Sequence, residues 1–302
     1  MDFNDPVRVV TWNLWWRYGP WEARQKAILA VLRELRPDVV GLQEVWDTGG
    51  ADGTAGTGGT DGSRGENLAA WLASELGMHW TWGASHDPGF WQRRLGDPTV
   101  GIGNAVLSRW PVAERAVLPL PPGDGDGGRL ALYAGLDAPG YRVPFFTVHL
   151  SSATDASAVR CQQVTALAEF VAAHRGDGPF PAVVTGDFNA WPDSDEVRLF
   201  GGYRTAPAVG GQVLIDAWDF AEPGAPSATW NLANPYVAGT FGPSVRVDYV
   251  FVEPTGKGAP GHVRGVRRAG DGPVDGVWPT DHAAVVVELS DGDGKGDGPS
   301  AR

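Results

Sequence analysis

Cysteine is almost absent from this 302-residue chain, where Cys161 stands alone. No intrachain disulfide can form, and neither a Cys-rich zinc site nor a secreted disulfide scaffold can be built. Lysine is nearly as scarce. Lys26, Lys257 and Lys295 are the three lysines, so the positive charge is nearly all Arg, and 24 basic residues against 36 acidic ones leave a formal charge of −12. A broad basic face that follows a long nucleic acid through many phosphates is disfavoured, which leaves a local Arg-lined groove as the only such surface. Long apolar runs are missing as well. No stretch reaches the roughly 18 residues of a membrane-spanning helix. The opening "MDFNDPVRVVTWNLWW" has neither the basic n-region nor the apolar h-region of a signal peptide. The expectation is a cytoplasmic chain, monomeric and without a disulfide partner.

The chain has ample material for a core: 42% of its residues are hydrophobic and 10% aromatic, with 14 Trp, enough for one sizeable domain. "VRVVTWNL" (7–14) is β-branched and apolar, a strand. In "WEARQKAILAVLREL", Trp21, Ile28, Val31, Leu32 and Leu35 share one helical face, and Pro37 ends the helix. "DVVGLQEVW" reads as a strand buried on both faces, interrupted by Glu44. "ENLAAWLASELG" predicts a second helix. "MHWTWGAS", "GNAVLSRWP", "RLALYAGL" and "YRVPFFTVHL" predict a series of antiparallel strands. A third helix spans about 156–174, and "PAVVTGDFNAWPDS" (181–194) ends a strand in a turn that leads to a short helix, "SDEVRLF". "SVRVDYVFVE" and "HAAVVVELS" add two strands. A buried, mixed β core with helices outside predicts an α/β (α+β) four-layer α/β/β/α sandwich, two mainly antiparallel sheets packed face to face. One domain is expected over 1–290, with a Gly-rich insertion at 47–66 read as a surface insertion rather than a lid, and an unordered tail at 291–302.

The strands share one oddity, a polar residue at or near the C-terminal end: Asn13, Glu44, His149, Asp187 with Asn189, Asp248, and Asp281 with His282. Any one of these has a plain structural reading, since a strand-end Asp caps a turn and a lone strand His is usually a hydrogen-bonded core residue. Their number argues otherwise. Four carboxylates, two Asn and two His on the edges of one core need partners or a metal, because an unpaired buried charge is expensive. Glu44, Asp187, Asn189 and Asp281 are oxygen ligands suited to a hard cation, Mg²⁺ or Mn²⁺, whereas zinc lacks its Cys and paired His. Such a cation polarises a phosphoryl oxygen, and an Asp and a His remain for proton transfer.

"TWNLW", "LQEVW", "TVHLSS", "TGDFNAWPDS", "RVDYVFV" and "PTDHAAVVVE", in that order between residues 7 and 289, resemble the motifs of the endonuclease/exonuclease/phosphatase superfamily, which includes deoxyribonuclease I, abasic-site endonucleases and neutral sphingomyelinases. The resemblance implies a Mg²⁺- or Mn²⁺-dependent phosphoester hydrolase, in the first instance a phosphodiesterase, in which water attacks phosphorus. It implies Glu44 as principal metal ligand, with Asn13 and Asp281 beside it. Asp187 would orient or deprotonate the water, Asn189 would hold phosphate or water, and His282 oriented by Asp248 would face the phosphate. His149 would donate to a phosphoryl oxygen or the leaving group. His149, followed by two serines, stands where abasic-site endonucleases carry Tyr, which points away from that branch. A nuclease, a sphingomyelinase-like enzyme and a small-molecule phosphatase are the alternative activities. A catalytically silent binding protein on the same scaffold is the alternative of another class, and the intact motifs speak against it. The motif-adjacent Trp residues (12, 15, 16, 46, 191, 230, 278) are read as core packing, and Arg17, Arg93, Arg94 and Arg109 as surface residues.

Overall fold

The computed structural model describes residues 6–49, 67–123, 126–240 and 242–292. The opening apolar run extends as β1 (Val7–Asn13), the periodic segment coils as α1 (Trp21–Leu35), and the chain returns as β2 (Val39–Asp47) parallel to β1. A parallel return needs a crossover, and α1 supplies it. Arg36 closes the helix in a left-handed conformation, φ 48°, one residue ahead of Pro37. The Asn67 side chain caps α2 (Leu68–Leu76) by accepting from the Ala69 and Ala70 N–H groups. Then come β3 (His79–Ala84), α3 (Gly89–Leu95), β4 (Gly101–Ser108), β5 (Val112–Pro119), β6 (Leu130–Ala138) and β7 (Tyr141–His149). A second crossover, α4 (Ser157–His174), leads to β8 (Val183–Asp187), parallel to β7. The chain ends with α5 (Asp195–Gly201), β9 (Ile215–Asp216), a 3-10 turn (Ala217–Phe220), β10 (Asp248–Val252), β11 (Val263–Ala269) and β12 (Ala284–Leu289).

These strands form two six-stranded sheets, ordered β11-β12-β1-β2-β4-β3 and β5-β6-β7-β8-β10-β9. Among the described residues, only β1–β2 and β7–β8 pair in parallel. Alternation along β1 shows how they stack. Val7 and Val9 pack between the sheets with Leu132, Phe145 and Val250, while Val10 and Trp12 pack outward with Ile28 and Leu32 of α1. On the opposite outer face, Val164 and Leu167 of α4 and Phe200 of α5 cover Phe146, Val184 and Phe251. Three apolar interfaces separate four layers, and the sandwich expected from the sequence is the fold. Each fully buried Val, Leu or Phe contributes about 1.5–3 kcal/mol. Among the described residues, no helix is long and apolar enough to cross a membrane. The insertion from residue 50 to 66 and the tail from 293 lie outside the described residues.

Gly186 shows how closely the site-bearing strands approach. A Cβ built there would lie 2.2 Å from the Val148 carbonyl oxygen of the neighbouring strand, so the close approach is to β7 rather than to a ligand. Backbone on backbone cannot yield as a flexible side chain does. Gly186→Ala is expected to destabilise the protein by about 2–3 kcal/mol, read as a lower urea midpoint with an unchanged m-value. An unaltered midpoint would show that β7 and β8 can part at no cost.

Candidate active site

Strand direction assembles the site. β1, β7 and β8 end at one edge of the sandwich in Asn13, His149 and Asp187, while β10 and β12 run antiparallel to β8 and β1 and so begin there. Asp248 is the first residue of β10, and Asp281 and His282 lie just ahead of β12. For these three, the expectation of C-terminal strand ends is corrected: they sit at N-terminal ends, brought to the same edge by the antiparallel pairing. Glu44 is corrected too. It lies within β2, where the register with β4 shifts between Leu42 and Val45, and its φ of 53° is left-handed. Simple alternation would turn it with Leu42 toward the helices; the bulge re-aims it. Four of the six non-glycine residues with positive φ among the described residues, Trp15, Trp16, Glu44 and Asn189, are at or beside this edge. Strain gathers where side chains are aimed.

Asp187 is the centre of the arrangement. The register sets it opposite His149 on one side and Asp248 on the other. Its Oδ2 accepts from Asn13 Nδ2 at 3.0 Å and lies 3.4 Å from His149 Nε2 and 3.8 Å from His282 Nε2; its Oδ1 accepts from the Asn189 N–H at 2.8 Å. His282 Nδ1 is 2.8 Å from Asp248 Oδ2, the orienting pair expected. The Thr229 hydroxyl oxygen accepts from the Val247 and Asp248 N–H groups and fixes that aspartate. The Thr280 hydroxyl donates to the Asn13 carbonyl and joins the approach to β12 with the end of β1. Below, Gln43 Nε2 donates to the hydroxyls of Thr11 and Thr147, tying the two sheets together under the site. Asn189 differs from expectation, because its side-chain amide donates to the Leu150 carbonyl at 3.0 Å and so braces the loop.

Burial sets the charges. Asp187 is pushed up to about 6 by burial and by Asp248. Burial opposes a charge on His282, but Asp248, Asp187 and Asp281 around it outweigh that and hold its imidazolium well above the usual range. His149 is pushed well down by burial, then by Arg129 and His282. One histidine is therefore charged and the other neutral. Glu44 is raised by burial, and Asp281 is raised to about 7 by burial and by the charge of Glu44. Two buried carboxylates that repel call for a cation between them. Glu44 Oε2 is buried with no hydrogen-bond partner among the described residues. Glu44 and Asp281 are an all-oxygen pair that fits a hard divalent ion, and Asn13 stands alongside with its Oδ1 accepting from the Trp15 N–H at 2.9 Å. Asp187, Asp248 and His282 also offer three ligand atoms within 4.8 Å of one another. That group is less suited, since His282 Nδ1 is already bonded to Asp248.

The sequence reading missed several neighbours. Arg24, 1% exposed, donates Nε to the Tyr18 carbonyl, Nη1 to the carbonyls of Leu14 and Pro279, and Nη2 to those of Trp15 and Trp16, all at 3.0 Å. A signal existed, because Arg24 interrupts the apolar stripe that runs through Ile28, Val31 and Leu35. Asn104, Gly127, Gly128 and Arg129 line a recess beside Glu44 and His149. Arg129 is bound to Asp126 at 2.6 Å and lies over Trp91 at 4.9 Å. Of the motif-adjacent tryptophans, Trp12, Trp16 and Trp46 are core, whereas Trp230 packs edge-on against the His282 ring at 5.1 Å and Trp191 is exposed. Arg109 pairs with Asp38, and Arg17 lies between Trp21 and Trp46.

The fold recurs among solved structures. An endonuclease/exonuclease/phosphatase from Beutenbergia cavernae superposes with a TM-score of 0.67 at 25% identity, covering 95% of this chain and 72% of that one. TDP2 of D. rerio complexed with a single-strand DNA product gives 0.67 at 18% identity over 94% and 98% of the two chains. The mannosyl-6-phosphatase Bt3783 of Bacteroides thetaiotaomicron gives 0.64 at 18% identity over 94% and 99%. No curated protein matches the sequence. The sequence model of the Endonuclease/Exonuclease/phosphatase family matches residues 10–282, from within β1 to the histidine that pairs with Asp248, and the chain belongs to that family.

Proposed function

We propose that this protein is a divalent-cation-dependent phosphoester hydrolase whose first substrate class is a phosphodiester. The observation that carries the reading is the convergence of Asn13, His149 and His282 on one oxygen of Asp187, with Asp248 behind His282. Glu44 and Asp281, with the Asn13 amide beside them, would hold Mg²⁺ or Mn²⁺, which when bound supplies neutralising charge at a phosphoryl oxygen. Asp187, raised to about 6, orients the attacking water and takes its proton near neutral pH. His282 presents a fixed positive charge to the phosphoryl group, and Asp248 keeps that ring in place. His149, neutral and facing Asp187 and Glu44, is the group available to the leaving oxygen.

Charge balance favours the diester. Arg129 is committed to Asp126 and Arg24 to backbone carbonyls, so His282 is the cationic side chain at the heart of a site that also holds Glu44, Asp187, Asp248 and Asp281. That balance suits the single negative charge of a diester better than a monoester dianion. The likeness to TDP2 with a DNA product and to a mannosyl-6-phosphatase keeps both ester types in the test. Purified protein is assayed on a diester reporter, a monoester reporter and plasmid DNA, each with Mg²⁺, Mn²⁺ or EDTA, beside Glu44→Ala. Cation-dependent turnover, highest on the diester and lost in the variant, is expected. Turnover that survives EDTA would end the reading.

Cation binding has its own readout. At about 100 times its dissociation constant, an ion bound only by the folded state stabilises it by about 2.7 kcal/mol. A rise in melting temperature with Mg²⁺ or Mn²⁺ is therefore expected for wild type and not for Glu44→Ala. Equal rises in both would move the ion elsewhere.

A further inference from the structure

Tyr18 belongs to none of the site motifs, yet the backbone holds it against them. The N–H groups of Leu14 and Trp16 donate to the carbonyls of Gln43 and Glu44 at 2.9 and 3.1 Å, so the segment after β1 is pinned along the Glu44 bulge. The Tyr18 N–H closes a turn on the Trp15 carbonyl, and Arg24 holds the Tyr18 carbonyl. The ring is boxed in: Trp15 lies tilted at 5.9 Å, Trp16 edge-on at 5.8 Å, and the Arg94 guanidinium 5.9 Å from the centroid. Such a ring has little freedom to swing away.

Burial pushes the pKa of this phenol up; the Arg94 charge opposes that, and the charges of Glu44 and Asp281 add to it. The hydroxyl therefore stays protonated, and it lies near enough to the two carboxylates that would hold the cation for their charges to act on it. Its oxygen is buried and, among the described residues, bonds to nothing; Glu44 Oε2 is in the same condition. A buried donor and a buried acceptor that are both left unpaired are costly in a folded interior unless a third group meets both. An oxygen ligand of the ion, itself a donor or acceptor, is such a group.

We propose that Tyr18 is a further residue of this site, its hydroxyl donating to an oxygen ligand, water or phosphoryl oxygen, of the cation held by Glu44 and Asp281. The inference rests on the cation reading above. Tyr18 acts on the ion through that oxygen and is a positioning residue for it.

The test is calorimetric titration of EDTA-stripped wild type and Tyr18→Phe with MnCl₂, alone and with inorganic phosphate present, together with melting in EDTA. One hydrogen bond lost predicts roughly three- to tenfold weaker Mn²⁺ binding. Weakening with MnCl₂ alone identifies a water as the acceptor, and weakening only with phosphate identifies a phosphoryl oxygen. Phe preserves the aromatic box and removes an unpaired group, so the melting temperature in EDTA is expected to be unchanged or higher. Equal affinities in both titrations would overturn the inference, as would a fall of more than about 5 °C in EDTA, which would mean a structural partner for the hydroxyl. Wild type that takes up no Mn²⁺ would end the cation reading and this inference together. Uptake by wild type with unaltered Tyr18→Phe affinity ends this inference alone.

Discussion

Asp187→Asn is expected to lower kcat by roughly 10²- to 10⁴-fold, the range of a lost general base, while the melting temperature stays within about 2 °C of wild type, equivalent to roughly 1 kcal/mol. Shape is retained and one charge removed. The oxygen on which Asn13, His149 and His282 converge becomes part of an amide, so the acceptor for an attacking water's proton is gone. Stability is spared because Asp187 faces Asp248 across the β8–β10 register, and removing one of two buried like charges offsets what the new amide loses. His282→Ala provides the contrast. It also lowers kcat steeply, but it strips Asp248 of its partner and leaves that buried charge uncompensated, so the melting temperature should fall as well. Activity of Asp187→Asn above about a tenth of wild type would place the proton transfer elsewhere. A large drop in its stability would recast Asp187 as a structural anchor.

The residues themselves were legible, because a carboxylate or imidazole in an apolar strand must have a reason to be there. The first helix was legible from Trp21, Ile28, Val31, Leu32 and Leu35, and the layers followed from apolar strands with helices between them. Strand direction was not. "RVDYVFV" and "TDHAAVVVE" name Asp248 and His282, but which end of each strand reaches the site depends on antiparallel pairing with β8 and β1, a long-range choice no local pattern records. The Glu44 bulge was hidden for a similar reason: "LQEVW" shows a charge inside an apolar strand but no change of register, and the extra residue exists only relative to β4. β5 and β11 are edge strands, as β3 is, but they went unread because they lack the apolar and aromatic residues that mark β3. "VAERAVLP" is largely exposed and "VRGVRRA" carries three Arg, so the alternation that marks a half-buried strand is diluted by charge. The seven-residue α3 is too short for a helical period to register. Trp230 shows the limit from the other side, since proximity in sequence to a motif cannot distinguish a core tryptophan from one that rests on His282.

Arg24→Met is expected to cost about 3–5 kcal/mol of stability, the scale of breaking a buried polar network, read from the denaturant midpoint. Burial lowers the Arg24 guanidinium to about 10, which leaves it charged at neutral pH. It has no carboxylate partner in hydrogen-bond contact among the described residues; its five bonds all go to carbonyls. Four of these belong to Leu14, Trp15, Trp16 and Tyr18, the segment that leaves β1 directly after Asn13. The fifth is Pro279, two residues before Asp281. One side chain from α1 therefore joins the two loops that deliver Asn13 and Asp281, and it supports two left-handed residues, Trp15 and Trp16, that would relax without it. Met keeps the aliphatic stem and removes every donor, so the carbonyls lose their partners while packing is largely kept. Arg24→Lys should fall between the two, because an ammonium keeps the charge but cannot span the flat fork of five acceptors. Activity measured well below the melting temperature should also decline in Arg24→Met, since small displacements of the groups that hold a reacting centre are costly. A loss under about 1 kcal/mol would mean that solvent satisfies those carbonyls and that the loops hold the site without the clamp.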